Sequence, residues 1–90
     1  MVRYRVRPEC AAENEALIGD VMSELARVAP AGLRYTVSVE EDGVTFVHVV
    51  TRSGETQLTD FAAFHAFLAG HRDRCEEGPV TTRMRVVGSY

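Results

Sequence analysis

Two alternating runs, Leu33 to Glu40 and Val44 to Thr51, meet at the dipeptide Asp42-Gly43. Asp-Gly between such runs is a strong hairpin signal, because a two-residue turn of this kind needs φ > 0 at both central residues. With those two residues as the loop, Glu41 pairs with Val44, Val39 with Phe46 and Val37 with His48. Cross-strand partners share a face, so Leu33, Tyr35, Val37, Val39, Phe46, His48 and Val50 lie together on an apolar side of the sheet. A titratable imidazole therefore stands on a face built for burial.

The period of the pattern changes on either side of this hairpin. Val2 to Arg7 alternates Val2, Tyr4 and Val6 with Arg3, Arg5 and Arg7, a period-two strand stopped by Pro8. From about Ala11 to Ala29 an apolar stripe runs through Ile18, Val21, Met22, Leu25 and Val28 at helical spacing. Glu9, Glu13 and Glu15 crowd its N-terminal end, where the helix dipole favours anions. Pro30-Ala31-Gly32 ends it. Thr59 or Asp60 is placed to cap a second helix reaching about Cys75, with Phe61, Phe64, Leu68 and Cys75 on one face and His71 between Phe64 and Phe67. Gly78-Pro79 reads as a break before a last strand, Thr81 to Ser89, alternating Met84 and Val86 with Arg83 and Arg85. The order β-α-β-β-α-β, with short connections, predicts an α+β ferredoxin-like fold over residues 1–90. It has a four-stranded antiparallel sheet with both helices on one face and strands 1 and 3 central.

Ninety residues make one domain, too short for two cores, and a domain of this size buries only roughly 60–65% of its unfolded surface. A net charge of -3 argues against non-specific nucleic-acid binding, which needs a basic footprint. All ten basic residues are arginine, so Schiff-base chemistry and a phosphate-loop lysine are excluded. Cys10 and Cys75 form no C-x-x-C pair, no stretch before Val2 has a signal-peptide pattern, and no apolar run approaches membrane-spanning length. A cytoplasmic protein with free thiols and no membrane contact is the expectation.

The second face of the predicted sheet carries Arg3, Arg5, Arg7, Arg34, Thr36, Ser38, Thr45, Val47, Val49, Arg83, Arg85 and Val87. It has no aromatic residue for base stacking, which argues against the RNA-recognition module of the same strand and helix order. Val47 and Val49 at its centre predict a homodimer through the sheet face, with arginines paired to carboxylates at the rim.

The element order over the whole chain resembles the dimeric α+β barrel superfamily. It is most similar to the small one-domain proteins grouped with the antibiotic-biosynthesis monooxygenases. The residues that carry the resemblance are Val44-Thr45-Phe46-Val47-His48-Val49-Val50 and Phe64-His65-Ala66-Phe67-Leu68-Ala69-Gly70-His71. The resemblance implies a homodimer whose two sheets form a barrel, with a pocket between helices and sheet in each subunit. Its characterised members include oxygenases of aromatic polyketides that use neither metal nor flavin, and haem-degrading enzymes. The haem-degrading branch uses a second-helix histidine, which His71 resembles. It also has a tryptophan where this chain has Phe61, and a first-strand asparagine absent between Val2 and Arg7.

On this reading His48 is the candidate catalytic base, with a pKa near neutrality. Tyr4, Tyr35, Phe46, Phe64 and His71 are the candidate substrate-binding residues. The expected function is a cofactor-independent monooxygenase-like protein acting on a small apolar or aromatic ligand. The alternative is a non-catalytic small-molecule-binding or structural dimerisation domain of the same fold, with His48 a satisfied core residue. No metal site is expected, because the three histidines lack H-x-H or H-x-x-x-H spacing, and no Gly-rich loop cradles a phosphate. Asn14, Asp20 and Glu24 read as a solvated edge of the first helix.

Overall fold

A computed structural model describes residues 1–90. Strand β1 (Val2–Val6) leads through a 3-10 turn at Pro8–Cys10 into helix α1 (Ala11–Val28). Strands β2 (Leu33–Val39) and β3 (Thr45–Arg52) follow, then a second 3-10 turn at Leu58–Asp60. Helix α2 (Ala62–Leu68), the short helix α3 (His71–Arg74) and strand β4 (Cys75–Thr81) complete the chain. The strands form one antiparallel sheet in the order β2-β3-β1-β4, with β1 and β3 central, an α+β arrangement compatible with a ferredoxin-like fold. No helix is long and apolar enough to cross a membrane.

The hairpin register is the one predicted by centring the turn on Asp42-Gly43, with Val37 opposite His48 and Val39 opposite Phe46. The turn is wider than the predicted two residues. Glu40 N–H donates to the Thr45 carbonyl, and the strands stop pairing before Glu41 and Val44. The reason lies in Asp42, which keeps a negative φ while Gly43 adopts +75°. Its carboxylate accepts the N–H groups of Val44 and Thr45, both at 2.9 Å, and the Thr45 hydroxyl at 2.6 Å. Those bonds hold its pKa below the usual carboxylate range.

Helix α1 ends as the sequence indicates, one residue before Ala29, which takes a left-handed conformation at φ 50° ahead of Pro30. The second helix is not one piece. Ala69 leaves the helical region and Gly70 turns left-handed at φ +74°, a conformation glycine adopts without steric cost. The turn redirects the chain so that His71 and Arg74 of α3 both become buried.

The last strand also differs from expectation. It is Cys75–Thr81, not Thr81 to Ser89, and Gly78-Pro79 lies inside it rather than before it. An edge strand tolerates proline, and the β1–β4 ladder is irregular there, stepping from Arg3–Val80 to Arg5–Glu77. Met84 and Val86, placed by their alternation on the apolar face, follow the strand unpaired and are 57% and 65% exposed. The core is built from Tyr4, Val6, Ile18, Val21, Phe46, Phe67 and Cys75, bringing both main helices against the same sheet face. Val39 and Val50, on that same face by register, lie beyond the helical cover and are about two-fifths exposed.

Candidate functional site

The centre of the core is polar. His48 points from β3 into the helix-covered side of the sheet and is buried. Its neighbours on that face are set by the register: Val2 of β1 opposite on one side, Val37 of β2 on the other. The tyrosines one pair further along each flanking strand reach its ring diagonally. Tyr4 Oη lies 2.7 Å from Nε2, and Tyr35 Oη is hydrogen-bonded to Nδ1. Both ring nitrogens are therefore occupied from within the protein.

The network continues away from the sheet. Asn14 of α1, fully buried, donates from Nδ2 to the Tyr4 hydroxyl at 2.9 Å. Arg74 of α3 donates from Nε to Asn14 Oδ1 at 3.3 Å. Its Nη1 and Nη2 donate to the carbonyls of Ala69 and Phe67 at 3.0 and 2.6 Å. The Arg74 guanidinium also stacks 5.3 Å over the Phe67 ring and makes no ion pair. Carbonyl dipoles and a π-face thus hold this buried cation.

Aromatic contacts close the network from the sides. Tyr4 stacks on Phe46 at 5.7 Å and meets the edge of His71 at 4.4 Å. Phe67 lies 5.4 Å from His48 and 5.0 Å from His71, and Phe64 stacks on Phe67 at 5.9 Å. His71 also contacts the Cys75 thiol, 3.6 Å from its Nε2. His65 stands exposed, its Nε2 against the Thr59 carbonyl. No group of three or more His, Cys, Asp or Glu side chains is arranged to hold a metal ion.

Burial sets the protonation of these groups. It lowers the His48 pKa to about 4, with the nearby His71 charge adding to the effect. It lowers His71 as well, reinforced by Arg74. Burial pushes Tyr4 up to about 12 against the opposing Asn14 hydrogen bond, and raises Tyr35 further. The Cys75 thiol is raised too, which removes it as a nucleophile near neutrality. Every member of the chain except Arg74 is neutral at pH 7.

Two adjoining clefts open between α1 and β2. One, of about 230 Å3, is lined by Ile18, Met22, Val37, Val39 and Phe46 among others. The other, of about 260 Å3, has Met22, Leu25, Leu33, Pro30 and Tyr35 in its walls. Met22 belongs to both. A cavity of about 630 Å3 lies elsewhere, between the end of β3 and the segment after β4, and involves none of the core polar groups. Of the predicted site residues, Tyr35 and Phe46 reach the α1/β2 clefts. Tyr4 contributes to an outer-face hollow beside Arg3 and Glu77, and His48, Phe64 and His71 line none of the larger cavities. Tyr4, Tyr35, His48 and His71 are nevertheless brought together, while Phe64 joins them only through Phe67.

Two residues of the network, Asn14 and Arg74, were not among the predicted ones. Asn14 is a correction: it is no solvated edge but the junction between α1 and β1, as is Glu24 between α1 and α2, whose carboxylate accepts the Ala63 N–H at 2.9 Å. The signal for Asn14 is its place on the buried stripe of α1 with Ile18 and Val21. Comparison with known protein families, with curated proteins and with solved structures finds no match to this chain.

Proposed function

We propose that this domain binds a small apolar or aromatic molecule in the α1/β2 cleft and acts on it as a cofactor-independent monooxygenase-like protein of the dimeric α+β barrel type. The observation that carries the reading is the double position of Tyr35. It stands in the wall of a mostly apolar cleft, and its hydroxyl is bonded to a buried polar chain through His48. Apolar walls with one or two fixed polar groups are the usual composition of a small-molecule site.

The role of His48 follows from its surroundings. Moving a proton from a phenol of ordinary pKa, about 10, to an imidazole held near 4 is uphill by about six units, or about 8 kcal/mol. His48 therefore acts by holding Tyr35 rather than by taking the substrate proton itself. A phenol or enol that enters as its anion supplies an electron pair from carbon to O2. The new C–O bond and one proton give a hydroperoxide, and loss of water leaves a carbonyl. Oxygen uptake measured with a panel of naphthols and hydroquinones tests this, with Tyr35→Phe and His48→Gln each losing at least about 100-fold. Uptake no faster than in buffer would sink the catalytic reading.

The second reading is a non-catalytic small-molecule-binding or structural domain. It is favoured by the internal satisfaction of both His48 nitrogens and by the absence of His48 from the larger cavities. Ligand binding without oxygen uptake would select it. In either reading a homodimer forms through the outer sheet face. There Val47 and Val49 are only half-buried, and the same face carries the Arg3–Glu40 pair at 3.1 Å and the Arg5–Glu77 pair at 2.7 Å.

A further inference from the structure

The hydrogen-bond chain that begins at Arg74 leaves little freedom in the direction of its protons. A guanidinium only donates, so the Asn14 atom facing Arg74 Nε is the oxygen. The Asn14 amide nitrogen then faces Tyr4 and donates to its hydroxyl oxygen. Tyr4 keeps one proton to place, in a side chain almost fully removed from water. The only acceptor beside it is His48 Nε2. Nε2 is therefore the unprotonated nitrogen, and the neutral ring carries its proton on Nδ1, which donates to Tyr35 Oη. The Tyr35 hydroxyl is the end of the line, and its own proton has no partner within the protein.

We infer that Arg74 and Asn14 are positioning residues that orient the chain in one direction. Tyr35 thereby offers a proton to the α1/β2 cleft, and the site takes ligands that present an acceptor oxygen, such as a ketone or an enolate. The opposite direction would have Tyr35 donating to His48 and presenting only lone pairs. The choice of ligand class thus depends on two residues that never touch the ligand. The depressed basicity of His48 agrees with this arrangement, since a protonated ring would donate from both nitrogens and reverse the Tyr4 bond. This inference rests on the cleft being the binding site, but the direction of the chain does not.

The tautomer is read without any ligand. Long-range 1H–15N spectra of the wild-type protein should show His48 with a protonated Nδ1 and a pyridine-like Nε2, the less common tautomer of a free histidine. A protonated Nε2 overturns the inference. Asn14→Asp pairs with Arg74 but has no proton for Tyr4, so Tyr4 turns its own proton to the new carboxylate and His48 switches to the Nε2–H form. An unchanged tautomer in a folded Asn14→Asp protein removes Asn14 as the orienting group, and the wild-type spectrum decides the direction even if that variant fails to fold.

The ligand arm uses 1-tetralone and tetralin, alike in shape and differing in the carbonyl. The ratio of their affinities should fall about 10-fold in Tyr35→Phe, the worth of one neutral hydrogen bond. It should fall similarly in Asn14→Asp. A ratio unchanged by Tyr35→Phe, with both compounds bound, overturns the acceptor preference and leaves the cleft reading standing. Binding of neither overturns the cleft reading and the preference together, while the tautomer stands on its own spectrum.

Discussion

Asn14 and Tyr4 join the first helix to the first strand through a hydrogen bond with no exposure to water, 2.9 Å from Nδ2 to Oη. Removing the amide strands the buried Arg74 Nε–H and takes away the donor to the Tyr4 hydroxyl, leaving Tyr4 only its bond to His48. Asn14→Ala should therefore cost about 2–4 kcal/mol, one unsatisfied buried group at about 1–3 kcal/mol and one lost hydrogen bond at about 1 kcal/mol. Urea unfolding measures it. A loss under about 1 kcal/mol would mean that the network contributes little beyond packing.

The protein should lose stability as pH falls from about 6.5 toward 4. His48 has a folded pKa of about 4 against an ordinary 6.5, so in that window the unfolded chain takes up a proton that the folded chain refuses. The gap of about 2.5 units corresponds to about 3 kcal/mol. His71 is shifted in the same direction and adds to the slope. Above pH 7 neither group changes stability. Urea midpoints at pH 7.5 and pH 5 test the slope, and the ring protons of His48 should not titrate until near pH 4.

Glu24 crosses from α1 to accept the N–H of Ala63, one of the unpaired donors in the first turn of α2. Glu24→Ala should cost about 1 kcal/mol, the usual loss when a cap is removed. Glu24→Gln, which keeps an acceptor, should fall between the two proteins. Faster amide exchange confined to α2 would locate the effect, and equal exchange in all three proteins would assign the cap no role.

A charge at the centre of the outer sheet face should abolish self-association. Val47→Glu places a carboxylate where the proposed dimer is driest, and an uncompensated buried charge costs several kcal/mol. Light scattering at micromolar concentration should give the wild type twice the mass of the variant. A wild-type mass of about 10 kDa would remove the dimer.

Strict alternation made β1 and the hairpin strands legible, and centring the turn on Asp42-Gly43 supplied the Val37–His48 pairing. What stayed hidden has specific causes. Phe61, Phe64, Leu68 and Cys75 keep helical spacing straight through the bend at Gly70, so periodicity did not reveal the break between α2 and α3. Strand β4 is written in Glu76, Glu77, Gly78 and Pro79, residues that signal a turn, because an edge strand exposed on most of its length needs little apolar surface. Asn14 sits between Glu13 and Glu15 and looks like part of a polar helix face. Arg74 is shown to be buried only once the Gly70 turn is known.

Asp42 ties three bonds within three residues of itself, whereas β1 finds β4 only by pairing Val2 with Thr81 and Val6 with Cys75. The hairpin thus closes over a short loop at low entropic cost, and the β1–β4 seam must wait for most of the chain to be gathered. Assembly should therefore run outward from the β2–β3 turn, with disassembly beginning at the far edge. Native-state hydrogen exchange should find β4 amides opening at lower free energy than those of β3, with substitutions in β4 changing mainly how fast the protein comes apart.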